Sequence, residues 1–456
     1  MIVATLAGLV LMAAAPADPS PDAAFAPCAD ANAFEALKDS QCARAAVPLD
    51  RAPGADADQA ELFLRRFPAI GARRGEVWLV AGGPGESGAA FYPLLETFRR
   101  AFPGYDLIIP DHRGTGYSSR ICPQEEAVDS EDGAALGGSE WGPCIGYAYA
   151  HQGRTHAFTI TNAALDLSTL IERYRGAGEV HVYGVSYGTQ LVLRMMQVAP
   201  PALDGIILDG LVPPDDDAGR DLSRRTAVVD GTGSAVLGPD DLLAYQRLLA
   251  AAPDGAWRQR ISGGDLKRFM GLLLDFPSAR RRIPALIEGL VRGDTTTLDL
   301  VLADLERLTA RLNDYPQSPS SDPLVMLISG SENNLRPDLT REVVAAESGA
   351  ALFTSPLAGF LVNNPLPLYA RDAWWNGTPA RLPPTLVIQG TLDPKTPYAG
   401  AVAHIGRLAG AGPVRLATVD GAAHFIAFSA PDCFARITAA FMLKAEPVDR
   451  CRQDEH

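Results

Sequence analysis

The 456-residue sequence lacks a long apolar run, an excess of positive charge and a metal-binding cysteine pattern. The apolar stretch at its amino terminus is too short for a comfortable membrane span. Acidic residues outnumber basic ones by 54 to 40, giving a net charge of −14. This charge argues against nucleic acid or an anionic membrane surface as a partner. No cysteine couple has C-x-x-C spacing and no histidines cluster with the cysteines, so the sequence predicts no metal site.

The amino terminus and the cysteines together indicate export. Residues 1–17 are apolar and end in a small-x-small site at Ala15-Pro16-Ala17, which predicts a signal peptide. An uncleaved anchor is the alternative interpretation. An even number of cysteines behind a leader favours disulfides in a secreted or periplasmic protein over unpaired thiols in a cytosolic enzyme. Fifteen pairings are possible; the sequence-local ones that we expect are Cys28–Cys42, Cys122–Cys144 and Cys433–Cys451.

Short runs rich in Val, Ile and Leu alternate with helical patterns at both ends of the chain, as in a doubly wound, mostly parallel sheet. A helical example is Asn162–Tyr174. The predicted strands are Glu61–Pro68, Glu76–Val80, Asp106–Pro110, Glu179–Tyr183, Gly205–Leu208, Pro383–Gln389 and Val414–Val419. We therefore expect an α/β core in two parts, residues 18–212 and 353–456.

Residues 213–352 have mostly helical patterns and predict an inserted helical cap. Such a cap lies over one edge of the sheet, where the active sites of α/β proteins lie. The predicted helices are Asp240–Ala251, Leu266–Leu274, Ile283–Val291 and Leu298–Leu312. Within this segment, Leu324–Ile328 is predicted to form a strand.

The segment Gly184-Val185-Ser186-Tyr187-Gly188 is a complete G-x-S-x-G. It follows a predicted strand and precedes the helical pattern Thr189–Val198, which is the context of a nucleophile elbow. A plain strand-to-helix turn is the alternative. In the nucleophile interpretation, Ser186 needs a base that removes its proton.

His424 is the candidate base, because it follows the last predicted strand and the histidine comes last in the chain order of such triads. The third member must orient this imidazole and stabilise its charge. Asp393, in a Gly-x-x-Asp-Pro turn after a strand, is preferred; Asp209 and Asp420 are the alternatives.

The stretch LVAGGPGESGAA, residues 79–90, contains G-x-G-x-x-G after a predicted strand. This is a dinucleotide-binding pattern, and Asp111 stands at the distance of a ribose-binding carboxylate. However, Pro84 offers no N–H to a pyrophosphate. The narrower segment Gly82-Gly83-Pro84-Gly85 suits an oxyanion-binding turn better, so we expect no nicotinamide and no other cofactor.

Five segments, AGGPGES, DHRGTGYS, GVSYGT, GTLDPKTP and GAAHF, resemble the proline iminopeptidase and tripeptidyl aminopeptidase group of α/β-hydrolase serine peptidases. The segment CARAAVPLDR, from Cys42 to Arg51, is similar to the tripeptidyl aminopeptidase branch. The resemblance covers residues 28–451 and implies an α/β-hydrolase fold with a TAP-like region at 353–456.

The resemblance also implies roles for individual residues. Ser186 would be acylated, His424 would act as base and then acid, and Asp393 would hold it. The N–H groups of Tyr187 and one glycine of the pair Gly82–Gly83, preferably Gly83, would bind the oxyanion. Glu332, in LISGSENNL, would bind the substrate's free α-amine; the alternative is a solvated loop side chain.

The sequence thus predicts an exported serine aminopeptidase that releases short amino-terminal peptides or a single residue. Its substrate is a peptide with a free amino terminus. A carboxylesterase that uses the same triad on neutral esters is the alternative, and a non-catalytic binding module is a third. The sequence leaves the oligomeric state and the preferred residues open.

Overall fold

A computed structural model describes residues 25–55, 57–251, 255–312 and 314–452. The predicted signal peptide, residues 1–17, lies outside these described residues. Within them, no helix is both long and apolar enough to cross a lipid bilayer.

A single twisted sheet forms the centre of the molecule. Its strands, in chain order, are β1 (Ala26–Pro27), β2 (Gln41–Pro48), β3 (Gln59–Phe67), β4 (Gly75–Val80), β5 (Tyr105–Asp111), β6 (Glu179–Val185), β7 (Gly205–Asp209), β8 (Thr385–Gly390), β9 (Val414–Asp420) and β10 (Arg450–Arg452). Their spatial order is β1-β2-β3-β5-β4-β6-β7-β8-β9-β10. The strands from β5 to β10 run parallel, and the first three pair antiparallel at one edge. This confirms the predicted mostly parallel sheet.

Helices cover both faces of the sheet and form the inserted segment. They are α1 (Leu95–Ala101), α2 (Trp141–Ala150), α3 (Gln152–His156), α4 (Ile160–Tyr174), α5 (Tyr187–Val198), α6 (Arg225–Val236), α7 (Pro239–Ala251), α8 (Leu266–Leu273), α9 (Pro277–Arg280), α10 (Ile283–Val291), α11 (Thr296–Leu312), α12 (Asp322–Glu332), α13 (Arg341–Ala350), α14 (Leu357–Val362), α15 (Tyr398–Leu408), α16 (Ile426–Ser429) and α17 (Pro431–Met442).

The central strands are mostly apolar because both of their faces are buried. Val182 of β6 packs into one core cluster, with Leu167 and Leu191 of α4 and α5. Its neighbour Tyr183 packs into the cluster on the opposite face, with Phe98 of α1. Successive side chains of a strand point to opposite faces, so one continuous apolar run supports two layers of helices.

Helices α6 to α14 lie between β7 and β8 in the chain, and α6 to α11 enclose an apolar cluster of their own, around residues such as Met270 and Leu286. The strand predicted at Leu324–Ile328 is wrong, because this stretch lies inside helix α12. Ser321 caps that helix by accepting from Leu324 N, and Pro323 stands in its first turn. These are helix-start signals. Leu324, Leu327 and Ile328 pack on the main core.

One further element differs from the sequence interpretation. β2 is not among the predicted strands, because it alternates buried Ala43, Ala45 and Val47 with exposed neighbours instead of being continuously apolar. Most predicted strand boundaries differ from the observed ones by one or two residues.

The three sequence-local disulfides are confirmed: Cys28–Cys42, Cys122–Cys144 and Cys433–Cys451. The first joins the segment after β1 to β2, the second joins a loop to α2, and the third joins α17 to β10. Together they fasten both edges of the sheet and the long connection between β5 and α4.

Candidate active site

Ser186 stands in the sharp turn between β6 and α5, in a strained conformation with φ 54° and ψ −124°. The two flanking glycines make this turn possible. A Cβ on Gly184 would stand 2.7 Å from the Gly188 carbonyl oxygen, and a Cβ on Gly188 would stand 2.4 Å from the Val80 carbonyl oxygen. The Ser186 N–H donates to the Asp209 carbonyl oxygen at 2.9 Å. Close packing against β4 and β7 therefore fixes the turn, as a nucleophile elbow requires.

Asp393 and His424 meet across the turns that follow β8 and β9. The distance from His424 Nδ1 to Asp393 Oδ2 is 2.7 Å. Asp393 also accepts from the backbone N–H groups of Lys395 and Thr396, each at 2.8 Å, and from the Thr396 hydroxyl at 2.8 Å. A carboxylate with so many donors is ionised and can only accept, so His424 carries its proton on Nδ1. Its Nε2 is then free to accept a proton.

The pKa shifts of the pair follow from this contact. Burial opposes the charge on both groups, yet the opposite charge of the partner outweighs it. The pKa of His424 is raised above its ordinary value by Asp393, and the pKa of Asp393 is lowered by His424 and the two backbone donors. The geometry thus stabilises an imidazolium facing an aspartate.

The two alternative acids have other partners. Asp209 accepts from the backbone N–H groups of Ile426 and Ala427, at 2.8 and 3.0 Å, and burial raises its pKa to about 6. It thereby holds the start of α16, directly after His424. Asp420 pairs with Arg450 through two hydrogen bonds of 2.7 Å.

The predicted oxyanion donors, Gly83 and Tyr187, both line the cavity that contains Ser186 and His424. Tyr187 is the first residue of α5, and the N–H of a first helical residue has no partner within its helix. Gly83 has φ 104°, and a Cβ there would stand 2.1 Å from Gly85 N. Only glycine fits this turn, which exposes backbone close to Ser186.

Asp111 has a structural role in place of ribose binding. Its carboxylate accepts from the backbone N–H groups of Gly88 and Tyr117, at 2.7 and 2.9 Å. It therefore ties the glycine-rich loop to the loop after β5. In the latter loop, Arg113 binds Asp166 of α4 through two hydrogen bonds, of 2.6 and 2.8 Å. These contacts account for the motif DHRGTGYS as a support of the site.

The cavity over Ser186 encloses about 240 Å³ and lies between the strand ends and the cap. Its wall is partly apolar, with Val325 of α12 and Leu357 of α14 among its members. The remaining lining carries charges of both signs, Glu86 and Arg225 among them. The shape and polarity suit a small, partly charged organic molecule.

Glu86 belongs to the motif AGGPGES but has no predicted role. Its Oε2 stands 3.1 Å from the point that a Cβ on Gly82 would occupy, and Ser186 Cβ stands 3.2 Å from the same point. The carboxylate is thus a close neighbour of Ser186. Desolvation raises its pKa, and the charges of His424 and Lys395 offset this only in part. Glu86 and Ser186 are far apart in the chain, so only the fold brings them together.

Arg225, the first residue of α6, was also missed, since nothing in a cap helix marks one arginine among many. It is 5% exposed, and among the described residues its Nε and Nη1 have no hydrogen-bond partner. Burial lowers its pKa to about 10, which leaves it positively charged at neutral pH. The other cations of the cavity wall are paired: Arg220 with Asp215 at 2.8 Å, and Lys395 with Asp275 at 3.0 Å.

Glu332 ends helix α12 and is only 2% exposed, so its interpretation as a solvated loop side chain is wrong. Its carboxylate accepts from the Tyr369 hydroxyl at 2.8 Å and from Arg194 Nη2 at 3.3 Å. Among the described residues that line the Ser186 cavity, the next residue, Asn333, is present and Glu332 is not. Burial raises the pKa of Glu332, opposed chiefly by the charge of Arg194.

Comparisons with known proteins agree with this architecture. Family models match residues 77–258, described as alpha/beta hydrolase fold, and residues 366–451, described as TAP-like protein. The serine protease Hip1 of Mycobacterium tuberculosis H37Rv is 25% identical over 462 residues, covering 88% of this chain and 85% of that protein. Hip1 of Mycobacterium bovis gives the same figures.

Solved structures similar to this chain include the proline iminopeptidase of Mycobacterium smegmatis, with 17% identity and a TM-score of 0.43. An esterase from Thermogutta terrifontis has 16% identity and a TM-score of 0.39. Each covers 88% of this chain and 98% of its own. Its sheet and its family match show an α/β-hydrolase fold, and the chain is similar to the tripeptidyl aminopeptidase-like group of serine hydrolases.

Proposed function

We propose that the protein is a serine aminopeptidase that releases a short amino-terminal peptide or a single residue. The observation that carries this proposal is the 2.7 Å contact between His424 and Asp393 at the cavity that also holds the elbow serine. The name of its relative Hip1, a serine protease, supports peptide hydrolysis.

In the proposed reaction, Ser186 Oγ attacks the scissile carbonyl carbon while His424 Nε2 accepts its proton. Asp393 stabilises the imidazolium that results. The N–H groups of Gly83 and Tyr187 bind the oxyanion of the tetrahedral intermediate. His424 then gives the proton to the leaving amine, and water, activated by the same imidazole, releases the acyl group from Ser186.

We propose that an acidic side chain binds the free α-ammonium of the substrate. Glu332 is the residue that the family resemblance assigns, although an ammonium must compete there with Arg194. Glu86 is the second candidate, since it lines the cavity and lies near Ser186. E332Q and E86Q should be compared on free-amine and N-acetylated forms of one peptide. The anchor is the residue whose variant loses the preference for the free amine; if both keep it, neither carboxylate binds the amine.

The first experiment is active-site labelling with a fluorophosphonate, followed by mass spectrometry of products from a free-amine peptide library and its N-acetylated counterpart. Wild type should be labelled and should cleave the free-amine peptides preferentially. S186A should do neither, whereas S130A, altered in a distant loop where Ser130 binds the Gly133 carbonyl, should behave as wild type. Labelling that persists in S186A would contradict the assigned nucleophile.

A carboxylesterase acting on neutral esters is the alternative function. The apolar part of the cavity wall, which includes Val325 and Leu357, favours it. An esterase has no use for an ammonium anchor, so equal effects of E332Q and E86Q on a free-amine peptide and on a p-nitrophenyl ester would support this alternative.

We also propose that the protein is exported to the periplasm or the exterior. Three disulfides persist in an oxidising compartment and are rare in a reducing cytosol. Fractionation of cells that express the full chain tests this, and intact protein found only in the cytosol would contradict it.

A further inference from the structure

Arg225 is a buried cation at the wall of the Ser186 cavity. Its Nε and Nη1 have no hydrogen-bond partner within the part of the chain that the structure describes, although the side chain is 95% buried. Buried polar groups are nearly always hydrogen-bonded, and a buried unpaired charge is costly. A ligand that supplies the missing acceptor would therefore gain more here than at an exposed arginine.

The nearby carboxylates do not accept hydrogen bonds from the Arg225 guanidinium. Asp393, Asp275 and Asp221 act on Arg225 through their charge, but none accepts a hydrogen bond from it. Asp393 binds His424, and Asp275 binds Lys395. Asp221 accepts from the Ser223 N–H and hydroxyl, at 3.0 and 2.7 Å. These three charges offset the cost of burying the guanidinium only in part, and it can still donate hydrogen bonds to one more anion.

The position of Arg225 identifies the part of the substrate that would reach it. It lines the Ser186 cavity and also a neighbouring cavity of about 230 Å³, and Lys395 lines both as well. The side chain therefore stands where the two spaces adjoin. Lys395 belongs to the same turn as Asp393, which contacts His424, so Arg225 lies on the side of the site that bears His424. In the proposed reaction His424 protonates the leaving amine, so the leaving fragment also lies on this side.

We propose that Arg225 binds the free carboxyl terminus of the leaving fragment, so that the enzyme's substrates are short peptides with both termini free. The proposal deepens the proposed aminopeptidase function and rests on it. A planar guanidinium binds a carboxylate through two parallel hydrogen bonds, which an amide or a continuing peptide chain cannot accept in the same way.

The experiment compares dipeptides and tripeptides that differ only in having a free carboxylate or a carboxamide at the carboxyl terminus. Wild type should cleave the free acids with a kcat/KM roughly 10- to 100-fold higher, as charge-assisted hydrogen bonds imply. In R225Q this ratio should fall to near one, mainly through a higher KM for the acid. R225K keeps the positive charge but cannot donate two parallel hydrogen bonds to a carboxylate, so it should retain part of the preference for the free acid.

R268Q is the matched control, because Arg268 lines the neighbouring cavity only and is exposed. Its acid-to-amide ratio should equal that of wild type. Equal cleavage of acid and amide by wild type, or a preference that survives in R225Q, would overturn the proposal. Absence of Ser186-dependent cleavage of both peptides would instead overturn the proposed function, and the inference with it.

Product inhibition of wild type gives a second measurement that needs no variant to fold. The free amino acid or dipeptide that forms the leaving fragment should inhibit hydrolysis more strongly than its carboxamide. Equal inhibition by the two would also overturn the proposal.

Discussion

The loops at the strand ends and the cap side of the cavity differ in how their buried charged side chains are hydrogen-bonded. At the strand ends, Asp111, Asp209 and Asp393 each accept at least two hydrogen bonds, and each fixes a loop or the imidazole. On the cap side, Arg225 is buried, and two of its nitrogens have no hydrogen-bond partner among the described residues. The proposed catalytic groups are thus held by other protein groups, whereas the group proposed to select the substrate is not.

A cluster of charges joins the two regions. Arg194 of the core helix α5 pairs with Glu332 of the cap-side helix α12, at 3.3 Å, and donates to the Thr161 hydroxyl at 2.7 Å. Here the charges on the two sides satisfy one another. We call this contact between core and cap the seam. Its charges are paired with each other, whereas two nitrogens of Arg225 have no partner among the described residues.

The largest effect is expected from D393N, which removes the charge that holds His424. The amide stabilises the wrong imidazole tautomer and no longer balances the imidazolium, so kcat should fall by about 10⁴-fold. Steady-state hydrolysis of a peptide and of a p-nitrophenyl ester measures it. D420N is the control, because Asp420 binds Arg450 instead. A loss in kcat of less than about tenfold in D393N would contradict Asp393 as the residue that orients His424.

The turns that carry the proposed catalytic residues could be predicted because their local geometry restricts the sequence. The elbow leaves no space for a Cβ at Gly184 or Gly188, so both positions require glycine and the sequence around Ser186 shows the motif. The turn that carries Asp393 follows β8, which is buried throughout, and the turn that carries His424 follows β9, which is only partly buried but still has a strand pattern. Sheet order then brings the ends of these strands together without further information from the sequence.

The remaining features depend on distant parts of the chain. Glu332 is buried only because Arg194, 138 residues earlier, and Tyr369 lie against it. The helix at 324–328 packs its leucines on the main core, and the local apolar run alone does not distinguish this from a strand. Whether Arg225 has a partner is a property of the folded cavity and leaves no pattern in the sequence.

The second prediction concerns the Arg194–Glu332 ion pair of the seam. In R194M the carboxylate of Glu332 loses its closest cation while remaining buried, so the free energy of unfolding should fall by about 3–5 kcal/mol. Urea unfolding measures it. R407M, which removes a half-exposed pair with Asp216, should cost about 1 kcal/mol or less. Equal losses in the two variants would show that the seam charges contribute no more than a surface pair.

The third prediction alters the strand-end region alone. In G83A the new Cβ would meet Gly85 N at 2.1 Å, so the turn must move and its N–H must leave its position. Loss of one oxyanion donor typically lowers kcat about 10²- to 10³-fold. Rates of acylation by a p-nitrophenyl ester measure this, with the melting temperature as the control for folding. An unchanged rate would exclude Gly83 as an oxyanion donor.

The smallest expected effect is a shift in the pH dependence of kcat/KM. His424 must be neutral to accept the proton of Ser186, so activity rises with pH as His424 loses its own proton. Because Asp393 raises the pKa of His424, the midpoint of this rise should lie above the ordinary histidine value of about 6.5.

Lys395 acts in the opposite direction, since its positive charge lowers the pKa of His424. In K395Q the imidazolium loses a repulsive neighbour, and Asp275 loses the cation that it binds at 3.0 Å. Both changes favour the protonated imidazole, so the midpoint should move to higher pH while the plateau rate above it remains. A midpoint that moves to lower pH would show that Lys395 acts on His424 through the shape of its turn and not through its charge.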